Sequence, residues 1–244
     1  NATQDEIVNV IEGAGIVLKT ASTETGNQLL LALQTLSTPT VHYYTSSGTW
    51  TKPSNLVALK VTVIGSGGGG SGSETADGGF GGNGGAGGGA TIKHYIASEL
   101  DATEAYSIGA GGSGGAAQVT GSNGGSSTFK ALTATGGGGG LYGAELTVSA
   151  TPGAGSGGDL NLRGSTGGFG LSSVASDVAH DSQGGYGGGP ALLGGSTTSV
   201  PQDVAGANGT HCGMGGGGAA SDQTPDPLAG GDGADGLIIV EEIY

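Results

Sequence analysis

The sequence predicts a mainly β fold in which polyglycine II helices pack into a glycine-rich sandwich or bundle. A short N-terminal helical segment precedes it, and a small strand-based base carries it. Three observations predict this architecture. Glycine supplies 59 of the 244 residues, against an ordinary usage of about 7%. Short segments with strand-like alternation interrupt the glycine tracts. Only 7 Pro are present and no strict Gly-X-Y spacing, which excludes a collagen triple helix.

Such a composition is by default a disordered one. The charges argue otherwise, because a net charge of −14 is scattered along the chain rather than blocked. Aromatic residues make up 5%, so a conventional core is hard to build. Order must come largely from backbone hydrogen bonds.

Residues 1–40 read as a helical fibre-connecting segment. Thr3 is expected as an N-cap with Glu6 three residues on, a capping box. Ile7, Val10 and Ile11 share a helical face, and Gly13 and Gly15 stop the helix. A second helix fits Asn27–Leu36, with Leu29, Leu30, Leu31, Leu33 and Leu36. Helices this short are weak alone, and self-association about a fibre axis would cover their apolar faces.

Residues 41–244 read as a glycine-rich tip domain. Its opening strands span 41–64, with a turn through Gly48 and another at Pro53-Ser54-Asn55. Leu59, Val61 and Val63 alternate with Lys60, Thr62 and Ile64, a strand with at least one buried face. Further strands are expected at Ala90–Ile96, Tyr106–Ile108 and Ser127–Thr135, and 237–244 closes the domain. No fixed period links the segments, so a regular solenoid is excluded.

The tract Gly67–Ala90 lies between two strands that should pair. An extended helix with three residues per turn rises about 3.1 Å per residue and makes no internal hydrogen bonds. All its N–H and C=O groups point outward, and glycine lets neighbours approach closely. Proline would lack the donor. The tract is therefore expected to run up and back, turning near Ser73–Asp77. Such rods carry almost no side chains, so recognition falls to the segments joining them.

Several chemistries are weighed and set aside. Six Lys and Arg against 20 Asp and Glu argue against nucleic acid or an anionic membrane as partner. There is no apolar run of membrane length and no signal peptide. Cys212 is the only cysteine and sits beside His211, which suits neither a disulfide framework nor a metal site. Gly-x-Gly-x-x-Gly recurs by chance and no βαβ unit frames it. Gly230–Ile238 fits a Ca²⁺-binding nonapeptide, but in one copy, and reads as a tight approach to the last strand. Asp177, His180 and Asp181 read as a solvated polar loop. No nucleophile elbow or framed carboxylate pair appears. The expectation is a non-enzyme without cofactor or metal.

Trp50, Tyr43 and Tyr44 are expected to pack at the base, and Phe80, Phe169 and Tyr186 to wedge between rods. Apolar and aromatic loop residues on a rigid frame are the usual anchors of recognition. The candidates are Tyr142, Leu146, Val174, His180, Leu192, Leu193, Val200, Pro225 and Leu228.

Tyr44–Pro53 (YTSSGTWTKP), Val61–Gly70 (VTVIGSGGGG), Ser107–Gly115, Ser126–Gly140 and Gly236–Tyr244 resemble the glycine-rich domain at the C-terminal ends of bacteriophage and prophage tail fibre proteins. Glu6–Ile16 is similar to the segment that precedes receptor-binding ends in many tail fibres. The resemblance implies a virion protein at a fibre tip that binds the bacterial surface. It also resembles the monomeric adhesins that cap T-even-like fibres, packing polyglycine helices and binding through the loops between them. Here the helical segment reads as continuous with a fibre, which favours a homotrimer. Asn1 in place of Met leads to the expectation of a longer chain upstream. An outer-membrane protein loop or a surface glycan is the expected target. The rival readings are a capsule-degrading tip enzyme and a structural spacer without binding.

Overall fold

A computed structural model of the chain describes residues 2–13, 38–73, 81–143, 149–171, 182–201, 203–221 and 228–244. An α-helix, α1 (Ala2–Gly13), comes first. Thr3 lies within its helical backbone rather than ahead of it, so it is not the N-cap expected there. The second expected helix, Asn27–Leu36, lies outside the described residues. The strands are β1 (Thr40–Tyr44), β2 (Gly48–Thr51), β3 (Ala58–Ile64), β4 (Ala90–Ile96), β5 (Thr103–Ser107), β6 (Ser127–Phe129), β7 (Leu132–Ala134), β8 (Gly155–Ser156), β9 (Leu160–Leu162) and β10 (Leu237–Ile243).

They form two antiparallel sheets, in the orders β1-β10-β3-β4-β9 and β2-β5-β6-β7-β8. The register sets Val63 opposite Ile238 and Val61 opposite Val240. With the period-two pleat these residues share one face. That face, with Leu59 and Tyr95, meets Trp50, Phe129, Leu132 and Ala134 of the second sheet in one apolar cluster. Burying each large apolar side chain there stabilises by roughly 1.5–3 kcal/mol. Trp50 packs at 6.2 Å from Phe129, ring centre to ring centre. Tyr44 lies 4.5 Å from Tyr106. Tyr43 does not join them. It is one step along the pleat from Tyr44, faces the other way, and is 67% exposed.

Several strand boundaries differ from those expected. The segment Ser127–Thr135 is a hairpin, because the chain folds back at Lys130, with φ +50°, between β6 and β7. Lys130 is held there by Glu104 at 2.6 Å and Asp101 at 3.3 Å. The strand expected at Tyr106–Ile108 is centred earlier, as β5. Thr49, Trp50 and Thr51 do not pair with β1, as a hairpin through Gly48 would require; β2 pairs with β5 instead.

Beyond β3 the chain leaves the sheet as the run 65–73 and returns as 81–89 into β4. Ile64 and Ala90 are register partners, so the tract between them does go out and back. Its hydrogen bonds rotate. Gly65, Gly68 and Ser71 donate to Gly89, Ala86 and Asn83. Ser66, Gly69 and Gly72 donate to Gly125, Ser122 and Val119. Gly67, Gly70 and Ser73 donate to Ala234, Gly231 and Leu228. These nine bonds measure 2.8–3.4 Å. The same run accepts from Gly112 and Gly115, from Gly137 and Gly140, and from Gly216 and Ala219. Every third residue therefore addresses the same neighbour, and six neighbouring runs surround it.

The run 81–89 is bonded in the same manner. Gly82, Gly85 and Gly88 donate to Ala219, Gly216 and Gly213, while Gly84 and Gly87 donate to Gly168 and Ser165. At most of these positions no side chain fits between the runs, and the side chains that are buried among them are small: Ser66, Ser71, Asn83 and Ala86. A Cβ on Gly85 would land on the Gly68 carbonyl oxygen, and one on Gly67 on that of Met214. Ordering so much glycine costs chain entropy. Near-complete pairing of backbone groups, in a setting where water cannot reach them, offsets that cost.

At the flanks, where a neighbouring run is missing, short polar side chains take its place. Asp235 and Asp232 accept the N–H groups of Gly111 and Gly114 at 2.7 Å each. Asn83 accepts from Gly170 at 2.8 Å and Asn123 from Gly139 at 2.9 Å. The two aspartates of the nonapeptide-like stretch thus brace an adjacent run.

Candidate functional site

The bonding ladders give the array two ends. Gly65, Gly89, Gly213 and Gly236 lie at the sheet end. The opposite end is defined by a second set of contacts. Ser73 donates to Leu228, Gly81 to Leu171, and Leu171 and Gln183 bond to each other. Ser182 Oγ donates to the Ser221 carbonyl at 2.6 Å, and Val204 bridges Ala220. The turn at Ala116–Val119, closed by a 3.0 Å bond, is also there, with Gln118 at φ +59°. Each described run that ends away from the sheets therefore ends at one face.

Tyr142, Val200 and Leu228 belong to that far end. Tyr142 is half-buried and its N–H donates to Thr120 Oγ1 at 3.1 Å. Leu228 is half-buried, with its N–H on Ser73 Oγ at 3.2 Å. Val200 is buried at 6% exposure, and its carbonyl accepts from Gly184. Its side chain packs against the array and offers no surface for contact. Leu192 and Leu193 are exposed, at 38% and 50%, but stand at the other end. Their neighbour Ala191 donates to Gly88, next to the sheets. Leu146, Val174, His180 and Pro225 lie outside the described residues, as do Asp177 and Asp181.

A family model described as a glycine-rich domain matches residues 43–242. The chain belongs to that family. No curated protein matches it. The match takes in all the described glycine runs and both sheets apart from residues 40–42 of β1 and Ile243 of β10, and it leaves out α1.

Phe169 and Tyr186 were expected between rods, and the structure corrects this. Both lie on the outside of the glycine-rich domain, 37% and 47% exposed, near Leu171 at 48%. Phe80 lies outside the described residues. The reason is spacing. The runs lie too close together to admit a ring, so an aromatic can occupy only a position whose direction has no neighbouring run. The three exposed side chains line one groove of about 360 Å³ with Thr166, Gln183 and Ser199. A second groove, of about 400 Å³, is lined largely by backbone at Gly136–Gly139 and by Ser149–Pro152.

At the sheet end the main electrostatic feature is Glu242, 4% exposed. Burial alone would push its carboxyl up. Hydrogen bonds from Tyr244, Trp50 and His42 outweigh that and hold it below the ordinary 4.5. The same contact with Glu242, with burial, raises the Tyr244 phenol. This cluster is structural: it joins β1, β2 and β10 and lies far from the face at which the described runs end.

Proposed function

We propose that residues 41–244 form the adhesin at the tip of a phage tail fibre, and that the glycine runs are polyglycine II rods holding its recognition loops. The observation that carries this is the gathering of run ends at one face, away from the sheets. The residues bracketing 74–80, 144–148, 172–181 and 222–227 all stand there. A nine-residue rod at about 3.1 Å per residue is about 28 Å long. It would set that face well clear of the base. The threefold rotation of hydrogen bonds supports rods of this kind, and a rigid array pre-organises what it carries.

On this reading the sheet end faces the fibre, α1 and the residues after it continue toward the fibre axis, and the tip is a homotrimer in the virion. The protein binds and does not catalyse. The partner is a bacterial surface receptor, an outer-membrane protein loop or a surface glycan, met by loop side chains and loop backbone. The test exchanges 74–80, 144–148, 172–181 and 222–227 one at a time for Gly-Ser segments of equal length. Adsorption is then measured on bacteria with and without porins or lipopolysaccharide sugars. Loss of adsorption in at least one exchange, with thermal stability kept, is expected. Unchanged adsorption in all four would defeat the proposal.

A further inference from the structure

The runs 164–170 and 183–190 lie side by side. Gly168 donates to the Tyr186 carbonyl at 2.7 Å, and Leu171 to that of Gln183 at 2.8 Å. Over residues 183–188 and 166–169 exposure follows the same threefold period as the bonding. Gln183 and Tyr186 are exposed while Gly184, Gly185, Gly187 and Gly188 are buried. Thr166 and Phe169 are exposed while Gly167 and Gly168 are buried. Residues three apart share a face of a three-residue turn. Two outward rows result, Thr166–Phe169 and Gln183–Tyr186, and the 360 Å³ groove is built on them.

Its chemistry is mixed. The Tyr186 ring rests against the backbone of Gly168, where a Cβ would come within 2.5 Å of ring Cδ1 and Cε1. Glycine at 168 is thus needed for the ring to settle there. Phe169 and Leu171 add apolar surface. The Tyr186 hydroxyl, the Gln183 carboxamide and the Thr166 hydroxyl make no hydrogen bond within the described residues. No charged side chain lines the groove among the described residues.

A purely apolar ligand would leave those three polar groups unmatched. An anion would find no cation, on a chain of net charge −14. A neutral sugar offers what remains, a C–H face for the rings and hydroxyls for the amide and hydroxyls. We infer that the groove between Phe169 and Tyr186 is a binding site for a neutral saccharide, on the flank of the array and reaching its far end at Leu171 and Gln183. It rests on the receptor-binding reading for its biological role, but not for its chemistry. A single shallow site of this size binds weakly, and several copies on one particle would add avidity.

The test is a glycan microarray carrying neutral hexose and hexosamine oligosaccharides beside sialylated and sulfated ones, probed with the purified chain. Retention of neutral glycans is expected. Phe169→Ala, Gln183→Ala and Thr166→Arg should each lower retention, the first and third by at least about tenfold, with thermal midpoints unchanged. Tyr186→Phe keeps the ring and should lose less. An array without retained neutral glycans, or equal retention by Phe169→Ala and Thr166→Arg, would overturn the inference. Adsorption of bacteria is scored separately. Loop exchanges that abolish adsorption while groove variants keep it would sink the groove's role in adsorption alone. The reverse result would sink the loop reading and keep the groove.

Discussion

Trp50 donates its indole N–H to Glu242 Oε1 at 2.7 Å, joining residues 192 positions apart. The bond ties β2, in one sheet, to β10, in the other. Glu242 also accepts from Tyr244 at 2.6 Å, and His42 lies 3.3 Å away. The carboxylate is buried, so its removal strands several donors at once. Glu242→Ala is expected to destabilise by about 2–4 kcal/mol. Trp50→Phe, which removes one donor and part of a ring, should cost about 1–3 kcal/mol. Urea unfolding of the two variants measures both, and a smaller loss in Glu242→Ala than in Trp50→Phe would contradict the assignment.

The same cluster sets a pH dependence. The carboxyl of Glu242 titrates below its ordinary 4.5 in the folded chain. A group depressed by folding contributes stability that is present above its unfolded value and lost as pH falls through the folded value. Stability is therefore expected to fall as pH drops below about 4.5, and Glu242→Gln should flatten that part of the profile. Thermal midpoints between neutral and acidic pH check it. Equal slopes for the two proteins would remove Glu242 as the cause.

Neighbouring glycines of one run should respond differently to a methyl group. A Cβ on Gly218 would land on the Gly82 carbonyl oxygen, backbone that cannot yield. A Cβ on Gly217 would meet Ala207 N and Thr197 Oγ1 at 3.2 Å, at the flank. Gly218→Ala is expected to cost about 3 kcal/mol or more, enough to prevent folding if the domain is marginal. Gly217→Ala should cost about 1 kcal/mol or less, with the strain partly offset by lost freedom of the unfolded chain. Soluble yield and thermal midpoint separate the two. Equal tolerance of both would mean that the runs do not approach as closely as the bonding requires.

The sheets were legible in the sequence where side chains alternate, and the packing of the glycine runs only in outline. β4 lies at Ala90–Ile96, as its pattern asks, and β10 ends one residue short of the expected Tyr244. Each begins directly after a glycine, Gly89 and Gly236, which marks its start. β8 and β9 are two and three residues long, too short for alternation to register. The pairing of one run with six others is not written in any residue, because glycines are alike and identity lies in position. The outward rows could have been found from Thr166–Phe169 and Gln183–Tyr186, by asking what a three-residue turn does with an isolated ring. The loop candidates followed from composition alone, and composition does not say at which end of a run a segment stands. Leu192 and Leu193 are at the sheet end for that reason.

Amide exchange tests the array directly, and its pattern is specific. Gly68, Gly85 and Gly216 donate within the buried middle of their runs, to Ala86, Gly216 and Gly68. Their neighbours on every side are other runs, so opening one means opening many. These amides are expected to exchange only through global unfolding, as slowly as those of Val61 and Val240 in the sheets. Gly111 and Gly114 donate to exposed Asp carboxylates on a flank, so local opening should free them sooner. Protection falling from the inner runs to the flank is the signature of a cooperative bundle of bare backbone. A profile in which glycine amides exchange like a free peptide while the strands stay protected would leave the sheets standing without the array. The loop face would then have no rigid support.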